Sequence, residues 1–317
     1  MSTATILNPQ LDSWPRDVSK VSFGRHETFH IRDGWLIKGM EAVDEHPDLF
    51  NRQDAIDILG VGRNMVSSIR HWLLVTGLVV ENHRPGQPRG KGLTFGLTPL
   101  AELIRDRDPY FEEDASLWIV HLNLATNYSR ATTWFWAFNC LGQGEFQRDA
   151  FLVQFQRYLT QQGLDALQKP LERDFACFIR TYAPSTKTGG MPTEDSLDCP
   201  LANLQLVDRL GRGNLFRFSV GPKASLPHGI VSYAIYRFAE NTRARSRLLP
   251  FDAVRWGEGS PGRLLCLDNE TLYSVLEQIE SDSSRSLIRL TRTAGLVQIH
   301  LSDLTSDEVL REAYDAS

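Results

Sequence analysis

The chain has little cysteine and no long apolar run. Its four cysteines stand far apart and none belongs to a CxxC pair. A structural zinc site and a disulfide framework are therefore not expected, and the thiols should be reduced and mostly buried. Because no signal-peptide pattern and no membrane-length apolar segment is found, we expect a cytoplasmic protein that does not enter a membrane.

The chain also lacks an excess of positive charge. Its 34 Lys and Arg residues are outnumbered by 39 Asp and Glu residues, which gives a formal net charge of -5. A protein coated in cations is thereby excluded, and any contact with nucleic acid must be a confined patch. With 317 residues and 42% hydrophobic content, the chain can bury a substantial core and form two or three domains.

One stretch of the sequence has the pattern of a helix–turn–helix. Residues 52–59 form a short amphipathic segment with Ala55, Ile56 and Leu59 on one side. The segment Gly60-Val61-Gly62 then breaks the helical period, because glycine tolerates the positive φ of a tight turn. Asn64 is a candidate N-cap for a second helix that runs to about residue 76, before Gly77.

The second helix divides into two faces. Its apolar stripe consists of Met65, Val66, Ile69, Trp72 and Leu73. Its polar stripe consists of Asn64, Ser67, Ser68 and His71. A recognition helix needs this division, since one face packs on its partner and the other offers short polar groups to a DNA groove.

A basic hairpin is predicted to follow this helix. Residues 78–80 and 93–97 have the character of two paired strands, and the Pro/Gly-rich loop between them carries Arg84, Arg89 and Lys91. Residues 52–92 contain six Lys or Arg and three Asp or Glu, against the acidic balance of the whole chain. We therefore favour a winged helix over an ordinary helical hairpin with a solvated loop. The predicted DNA contacts are Arg63, Asn64, Ser67, Ser68, Arg70, His71, Arg84, Arg89 and Lys91.

The chain as a whole is predicted to be mainly α with small β wings, an α+β protein. We expect an irregular arm over 1–20, a winged-helix domain over 21–108, a helical and aromatic-rich middle domain over 109–250, and a second winged-helix-like unit over 251–317. The aromatic run at 134–138 is expected in the core, because these rings cannot all face water.

The C-terminal unit repeats features of the first. Asp268 can cap a helix whose apolar positions are Leu272, Val275, Leu276 and Ile279. Ser283 or Ser284 can cap a second helix, which would carry Leu287, Ile288 and Leu290 inward and Arg285, Arg289 and Arg292 outward. Arg285 and Arg289 could grip DNA, and a solvated charged face is an equal alternative.

Five segments carry a resemblance to a known family. They are His26-Glu27-Thr28-Phe29, Trp35-Leu36-Ile37-Lys38-Gly39, residues 59–66, Arg130-Ala131-Thr132-Thr133-Trp134 and Ser260-Pro261-Gly262. Together they resemble a bacterial family with an uncharacterised domain, whose best-studied group is the SspB-like DNA nickase of single-strand phosphorothioation defence systems.

The resemblance implies a protein that binds double-stranded DNA and nicks it. The nick would give access to a cysteine desulfurase and an ATP-dependent sulfur-transfer enzyme, with an ATPase as a further partner and a homodimer as a possible state. Two other readings stay open. One is a non-enzymatic winged-helix regulator or targeting subunit that delivers the sulfur-transfer partners, and the other is an interaction scaffold.

Nicking would draw on the polar cluster between residues 25 and 38. There His26 or His30 could act as general base, Glu27 or Asp33 could hold Mg²⁺ or Mn²⁺, and Arg32 or Lys38 could neutralise phosphate. Alternatively, His26 and Glu27 cap the first helix and pair with an arginine.

Other charged residues compete with this cluster. The segment 172–174 lies at the start of a helix, where acids are favoured by the dipole, and Glu194, Asp195 and Asp198 lie in a loop near Pro200. Arg130 is a charge in an aromatic segment, so it must pair or reach a surface. We expect it to join two parts of the fold rather than to bind phosphate.

Overall fold

The computed structural model describes residues 20–83, 92–183, 199–211, 213–242, 247–282, 287–293 and 295–315. The helices are α1 (Trp35–Glu45), α2 (Ala55–Leu59), α3 (Arg63–Val75), α4 (Pro99–Arg107), α5 (Asp114–Thr126), α6 (Thr132–Asn139), α7 (Arg148–Gln161), α8 (Gln168–Tyr182), α9 (His228–Asn241), α10 (Phe251–Trp256), α11 (Pro261–Leu264), α12 (Asn269–Ser281) and α13 (Ser306–Asp315). The strands are β1 (Val79–His83), β2 (Leu93–Leu97), β3 (Glu145–Gln147), β4 (Val207–Leu210), β5 (Leu215–Phe218), β6 (Leu248–Pro250), β7 (Ile288–Thr293) and β8 (Leu296–Leu301). The prediction of an α+β protein with small sheets is confirmed.

Three small antiparallel sheets accompany the helices. The first is the hairpin β1-β2, the second has the order β3-β5-β4, and the third has the order β6-β8-β7. Buried apolar side chains from all of these elements form a continuous cluster. Within the described part of the chain, no helix is both long and apolar enough to cross a membrane.

The predicted helix, turn, helix and two strands are present between residues 55 and 97. Helix α3 ends at Val75 with Thr76 as its C-cap, and Gly77 follows with φ 73°, a value that glycine adopts without steric cost. The N-cap of α3 is Gly62, so the prediction that Asn64 caps this helix is wrong by two positions. Ile56 is also less buried than predicted, with 38% of its surface exposed. The loop with Arg84, Arg89 and Lys91 lies outside the described residues.

Helix α1 crosses α3 at close range. A Cβ atom added at Gly39 would lie 2.6 Å from Cδ1 of Leu73 and 2.9 Å from Cγ2 of Ile69, both on α3. Such separations do not occur between real side chains, so glycine is what allows the two helices to approach each other. This crossing fixes α3 against the segment that precedes α1.

Helix α5 is the centre of the molecule. Every residue from Ala115 to Ala125 is buried, so this helix has no solvent face. From it Asn123 donates a hydrogen bond to the Thr76 carbonyl (2.7 Å), and Asn127, just after the helix, donates to the Val75 carbonyl (3.0 Å). These carbonyls end α3 and would otherwise be buried without partners. The C-terminus of α3 is thus fixed by α5.

The aromatic run at 134–138 lies in the core, as predicted. Trp134, Phe135, Trp136 and Phe138 are each exposed by 3% or less. Trp136 stacks on Phe155 with ring centroids 4.7 Å apart. These rings therefore form a packing layer between α6, α7 and α8, and they offer no surface for stacking bases.

The C-terminal unit departs from the prediction after its first helix. Asp268 caps α12 by accepting from the Thr271 amide at 2.7 Å, as predicted. The second predicted helix is wrong, because residues 288–293 form strand β7, paired with β8. The β-branched residues at 288, 291 and 293 favour a strand, and Gly295, with φ 80°, lies at the turn of the hairpin.

The strand places the arginine side chains differently from the predicted helix. In a strand, neighbouring side chains alternate between the two faces, so Arg289 and Arg292 point in opposite directions. Arg289 is exposed, and Arg292 donates to Oε1 of Glu277 at 2.7 Å and to the hydroxyl of Tyr273 on α12. Arg285 lies outside the described residues. Arg289 and Arg292 therefore do not form a row on one face of a helix.

Candidate active site

The His26-Glu27-Thr28-Phe29 segment forms a turn tied to α8 and α6. Nε2 of His26 donates to Oδ1 of Asp174 at 3.0 Å, and Nδ1 accepts from the Thr28 amide at 3.1 Å. The same carboxylate accepts from the Gly24 amide (2.7 Å) and from the Thr133 hydroxyl (2.7 Å). His26 and Asp174 are only 1% and 2% exposed. Two of the sequence motifs are therefore joined by one buried carboxylate.

The turn holds two consecutive residues in the left-handed region. Glu27 has φ 49° and Thr28 has φ 69°, conformations that cost on the order of 1–3 kcal/mol for a residue with a Cβ. The surroundings impose them: Arg180 donates to the Thr28 carbonyl at 2.6 Å, and Nε1 of Trp72 donates to the Phe29 carbonyl at 3.1 Å. Strain of this kind is concentrated at functional sites, and here it leaves Glu27 exposed while His26 is buried.

Beside this turn lies a cleft of about 390 Å³. It is lined by Ser22, Arg25, Glu27, Phe50, Val66, Ser67, Arg70, His71, Leu74, Glu81 and Arg130. Its walls come from the turn, from the exposed edge of α3, from β1 and from the loop before α6. Three guanidinium groups share the cleft with two carboxylates, so it is polar and carries positive charge.

A carboxylate bridges two of the guanidinium groups. Oε1 of Glu81 accepts from Arg70 at 2.8 Å, and its Oε2 accepts from Arg130 at 2.9 Å. Burial would raise the pKa of Glu81, but the hydrogen bonds from Arg130 and Arg70 outweigh it, and the pKa lies below its ordinary value. The expectation that Arg130 joins two parts of the fold is confirmed, since it links the loop before α6 to β1.

His71 is the half-buried imidazole of the cleft. Burial lowers its pKa well below the ordinary value, and the positive charges of Arg130 and Arg25 act in the same direction. The ring therefore stays neutral at pH 7, because the same causes disfavour its protonated form. It packs edge-on against Trp72, with ring centroids 5.1 Å apart.

The predicted catalytic cluster is divided between two clefts. Arg32, Asp33 and Lys38 line a second cleft of about 450 Å³ beside the Gly60–Gly62 turn. Nζ of Lys38 donates to the carbonyl of Leu59 at 3.0 Å, which stabilises the end of α2. Arg32 lies over the rings of Phe29 and Trp35, 5.3 Å from each centroid. These three residues are therefore not assembled with Glu27.

Both histidines predicted as a general base are buried. His30 is 6% exposed and His26 is 1% exposed, and both ring nitrogens of His26 are engaged within the protein. A general base must come within hydrogen-bond reach of the proton that it abstracts. In this structure His26 positions the turn, and His71 is the imidazole that reaches the cleft.

The predicted DNA contacts on α3 fall into two groups. Arg63, Asn64 and Ser67 are exposed, and Arg70 and His71 lie at the cleft. Ser68 is 0% exposed, so the prediction that it faces DNA is wrong. The reason is that position 68 follows Ser67 by a further 100° around the helix and falls on the packed side.

A divalent metal site was predicted at Glu27 or Asp33. These two residues line different clefts, so they do not share one ion. Among the described residues, no group of three His, Cys, Asp or Glu side chains could hold a metal ion. The described residues therefore do not fit a closed metal site built by the protein alone. Glu194, Asp195 and Asp198 lie outside them.

Asp174 is the site residue whose role the sequence analysis missed. It was attributed to the helix dipole, but it lies in the second turn of α8 and is buried there. Its position did carry a signal: Leu171, Phe175 and Phe178 share its helical face, and a carboxylate on an apolar stripe must find partners in the core.

Comparison with known proteins agrees with the resemblance of the motifs. Residues 23–314 match a family described as a protein of unknown function, DUF4007. No curated protein matches the sequence. A crystal structure of magnesium ion-bound SspB superposes with a TM-score of 0.83 at 28% identity, and a second SspB crystal structure with 0.82 at 27%. Each match covers 94% of this chain and 90% of the other. The chain belongs to the DUF4007 family.

Proposed function

We propose that this protein binds duplex DNA and nicks it within a DNA phosphorothioation system. The observation that carries the proposal is the similarity to SspB over 94% of the chain. The cleft supports it independently, because Arg25, Arg70 and Arg130 meet there beside an imidazole that is neutral at pH 7.

DNA contact would be made by winged-helix units at both ends of the described chain. In the first unit, α1, α2, α3, β1 and β2 follow one another in the order of a winged helix, with Arg63, Asn64 and Ser67 exposed on α3. In the second, α9, β6, α10, α12, β7 and β8 have a corresponding order, with β8 between β6 and β7. We therefore include α9 in the second unit, where Arg289 is the exposed candidate for phosphate contact.

Nicking requires an attacking water, charge stabilisation and a leaving oxygen that gains a proton. His71 would accept a proton from the water as the water oxygen bonds to phosphorus, because its neutral ring faces the cleft and the negative charge of the phosphate would favour the protonated ring. The leaving oxygen would take a proton from solvent as its bond to phosphorus breaks. Arg25 and Arg130 would stabilise the negative charge on the phosphoryl oxygens. Glu27 would orient the water from the strained turn, which His26 and Asp174 hold in place. No step in this proposal passes through a metal.

Incubation of supercoiled plasmid with the purified protein tests the proposal. The assay is run with Mg²⁺, with Mn²⁺ and with EDTA, and open circular DNA is measured over time. We expect the wild type to nick, and His71→Gln and Glu27→Gln to nick at least about 100-fold more slowly, as is typical of a lost general base or positioning group. Arg217→Gln is the matched control, since Arg217 is half exposed and pairs with Asp208 on the sheet of β4 and β5.

Three results would contradict this proposal. Normal nicking by both cleft variants would place the chemistry elsewhere, with the acids at 194, 195 and 198 as the next candidates. An acid limb in the wild-type profile of nicking rate against pH that persists unchanged in the residual activity of His71→Gln would exclude His71 as the proton acceptor. Loss of nicking in EDTA would show that a metal takes part.

A non-enzymatic role is the second candidate function. It is favoured by the exposed polar residues of α3, since Arg63, Asn64 and Ser67 could contact DNA whether or not the cleft cleaves it. In that case the protein would target a cysteine desulfurase and an ATP-dependent sulfur-transfer enzyme to DNA. DNA binding without nicking under every metal condition would support this function and exclude the first.

A further inference from the structure

The bridge between Arg70, Glu81 and Arg130 has the form of an occupied anion site. Each carboxylate oxygen of Glu81 receives a hydrogen bond from a different guanidinium group, at 2.8 and 2.9 Å. The two arginines come from distant parts of the chain, the middle of α3 and the loop before α6. A phosphate presents oxygens with similar spacing, and arginine is the side chain that binds carboxylate and phosphate in the same geometry.

Contacts other than the carboxylate hold the guanidinium group of Arg70 and the backbone of Arg130. Arg70 lies over the ring of Phe95, with its guanidinium carbon 5.1 Å from the centroid. The loop that carries Arg130 is held by its own contacts, since the Arg130 amide donates to Oδ1 of Asn127 at 3.1 Å. If the carboxylate moved away, the Phe95 ring would keep the Arg70 guanidinium at the cleft and the loop would keep the backbone of Arg130 beside it, and a bound phosphate would offset the repulsion between the two positive charges.

The bridge is accessible from the cleft. The side chains of Arg70 and Arg130 are 38% and 34% exposed, and that of Glu81 is 16% exposed. Two guanidinium groups and one carboxylate leave one net positive charge there, which attracts a further anion. Ser67 lines the same cleft and can donate a hydrogen bond to an added oxygen.

We propose that Arg70 and Arg130 form a subsite for a backbone phosphate of DNA, and that Glu81 occupies it in the free protein. On binding, the phosphate takes the place of the carboxylate, and Glu81 turns toward solvent by rotation of its side chain. Its backbone stays in place because β1 pairs with β2 on both sides of position 81. This inference rests on the proposed binding of DNA but does not depend on nicking.

Replacement of the carboxylate by an amide tests the exchange. In Glu81→Gln the shape of the side chain is kept and the competing charge is removed, so DNA should bind about tenfold more tightly. The plot of log K against log salt should also become steeper, by at most about one, because one more uncompensated positive charge then faces the DNA phosphates. Binding is measured by fluorescence anisotropy of a labelled duplex at several salt concentrations.

A matched control separates exchange from a general change of charge. Asp208 accepts from Arg217 at 3.1 Å in a strand pair away from the cleft, and Asp208→Asn removes the same single charge. We expect Asp208→Asn to raise the affinity for DNA by less than twofold. The double variant Glu81→Gln/Arg130→Gln should lose the gain of the single variant, since the two residues act through one site.

The outcomes separate this inference from the proposed function. If the wild type does not bind duplex DNA, the proposed function fails. If the wild type binds DNA and Glu81→Gln gains no more DNA affinity than Asp208→Asn does, then DNA binding stands and the phosphate subsite is wrong. If Glu81→Gln does not fold, as its melting curve would show, Arg130→Lys decides: this variant keeps the charge but loses the planar donor pair. Unchanged DNA affinity would then overturn the subsite.

Discussion

At the scale of single residues, Asp174 holds the site together. Its two oxygens accept hydrogen bonds from the Gly24 amide, His26 and the Thr133 hydroxyl, at 2.7 to 3.0 Å. The carboxylate thereby stabilises a turn whose residues 27 and 28 are in left-handed conformations. A group that orders a strained turn affects both the stability of the protein and the position of the exposed Glu27.

Asp174→Asn should therefore lower the free energy of unfolding by about 2–4 kcal/mol, because buried hydrogen bonds to a charged acceptor are weakened or lost. Urea denaturation followed by tryptophan fluorescence measures this loss, since Trp72 and Trp134 pack against His26. Glu172→Gln is the control on the same helix, where the carboxylate is about one third exposed and pairs with Arg148. Equal stability of the two variants would show that Asp174 has no special role.

The sequence indicates which residues belong to the turn at 26–29 but not how their side chains are arranged. The motif at 26–29 was recognised, yet which side chain faces the cleft depends on backbone angles that the sequence does not specify. Because residues 27 and 28 have positive φ, His26 turns inward and Glu27 outward. The distribution of Arg32 and Lys38 to another cleft likewise follows from where the chain enters α1.

At the scale of elements, the crossing of α1 and α3 sets one wall of the site. The packed side of α3 carries Ile69 and Leu73, and its other side carries Ser67, Arg70 and His71 into the cleft. A change in the distance between the two helices would move these cleft residues. Gly39 is the position at which that distance is decided.

Gly39→Ala should destabilise the protein by about 1–3 kcal/mol, because the added methyl group would overlap Leu73 and Ile69. Differential scanning calorimetry measures the shift in melting temperature. Gly144→Ala serves as the control, since an added Cβ there meets no atom within 4 Å. A melting temperature unchanged in Gly39→Ala would mean that the helices separate without cost.

Elements were predicted well where periodicity was strong. Helix α3 and the capped helix α12 are confirmed, since a repeated apolar stripe and a clear start or stop signal agreed in each. The prediction of a helix over the segment 288–293 was wrong because apolar residues at 287, 288 and 290 and arginines at 289 and 292 fit a helical pattern, and over so short a length they do not exclude a strand. Pairing with β8 decides the outcome, and that pairing is a tertiary property.

At the scale of the whole molecule, His121 connects three distant parts of the chain. Its Nε2 donates to the Leu264 carbonyl and its Nδ1 accepts from the Tyr182 hydroxyl, each at 2.8 Å. Burial lowers the pKa of His121 to about 4. The neutral ring is thus the form that fits between α5, α8 and α11.

Global stability should therefore depend on pH. Between pH 6.5 and about 4 the unfolded chain protonates this histidine and the folded chain does not, so the free energy of unfolding falls as the pH is lowered through this window. The expected loss from His121 is on the order of 3 kcal/mol. Urea denaturation at a series of pH values measures it.

In His121→Gln the free energy of unfolding should change less steeply with pH between pH 6.5 and 4 than in the wild type. The variant should nevertheless be less stable at pH 7. His71→Gln is a useful comparison, because burial lowers the pKa of His71 as well and its removal should reduce the slope in the same direction. An unchanged slope in His121→Gln would contradict the assignment of this pH dependence.

The sequence by itself determined the α+β class, the helices with strong periodicity and the membership of a family whose motifs lie far apart. The class and the helices follow from local properties, since propensity, capping and apolar spacing act within a few turns of chain, and the family follows from residue identities in the motifs. Only the tertiary structure decided that Asp174 joins two motifs, that Glu81 bridges two arginines and that the polar cluster at 25–38 is divided between two clefts. Such contacts join residues up to 150 positions apart, and their geometry depends on helix crossings and backbone angles that no local pattern encodes.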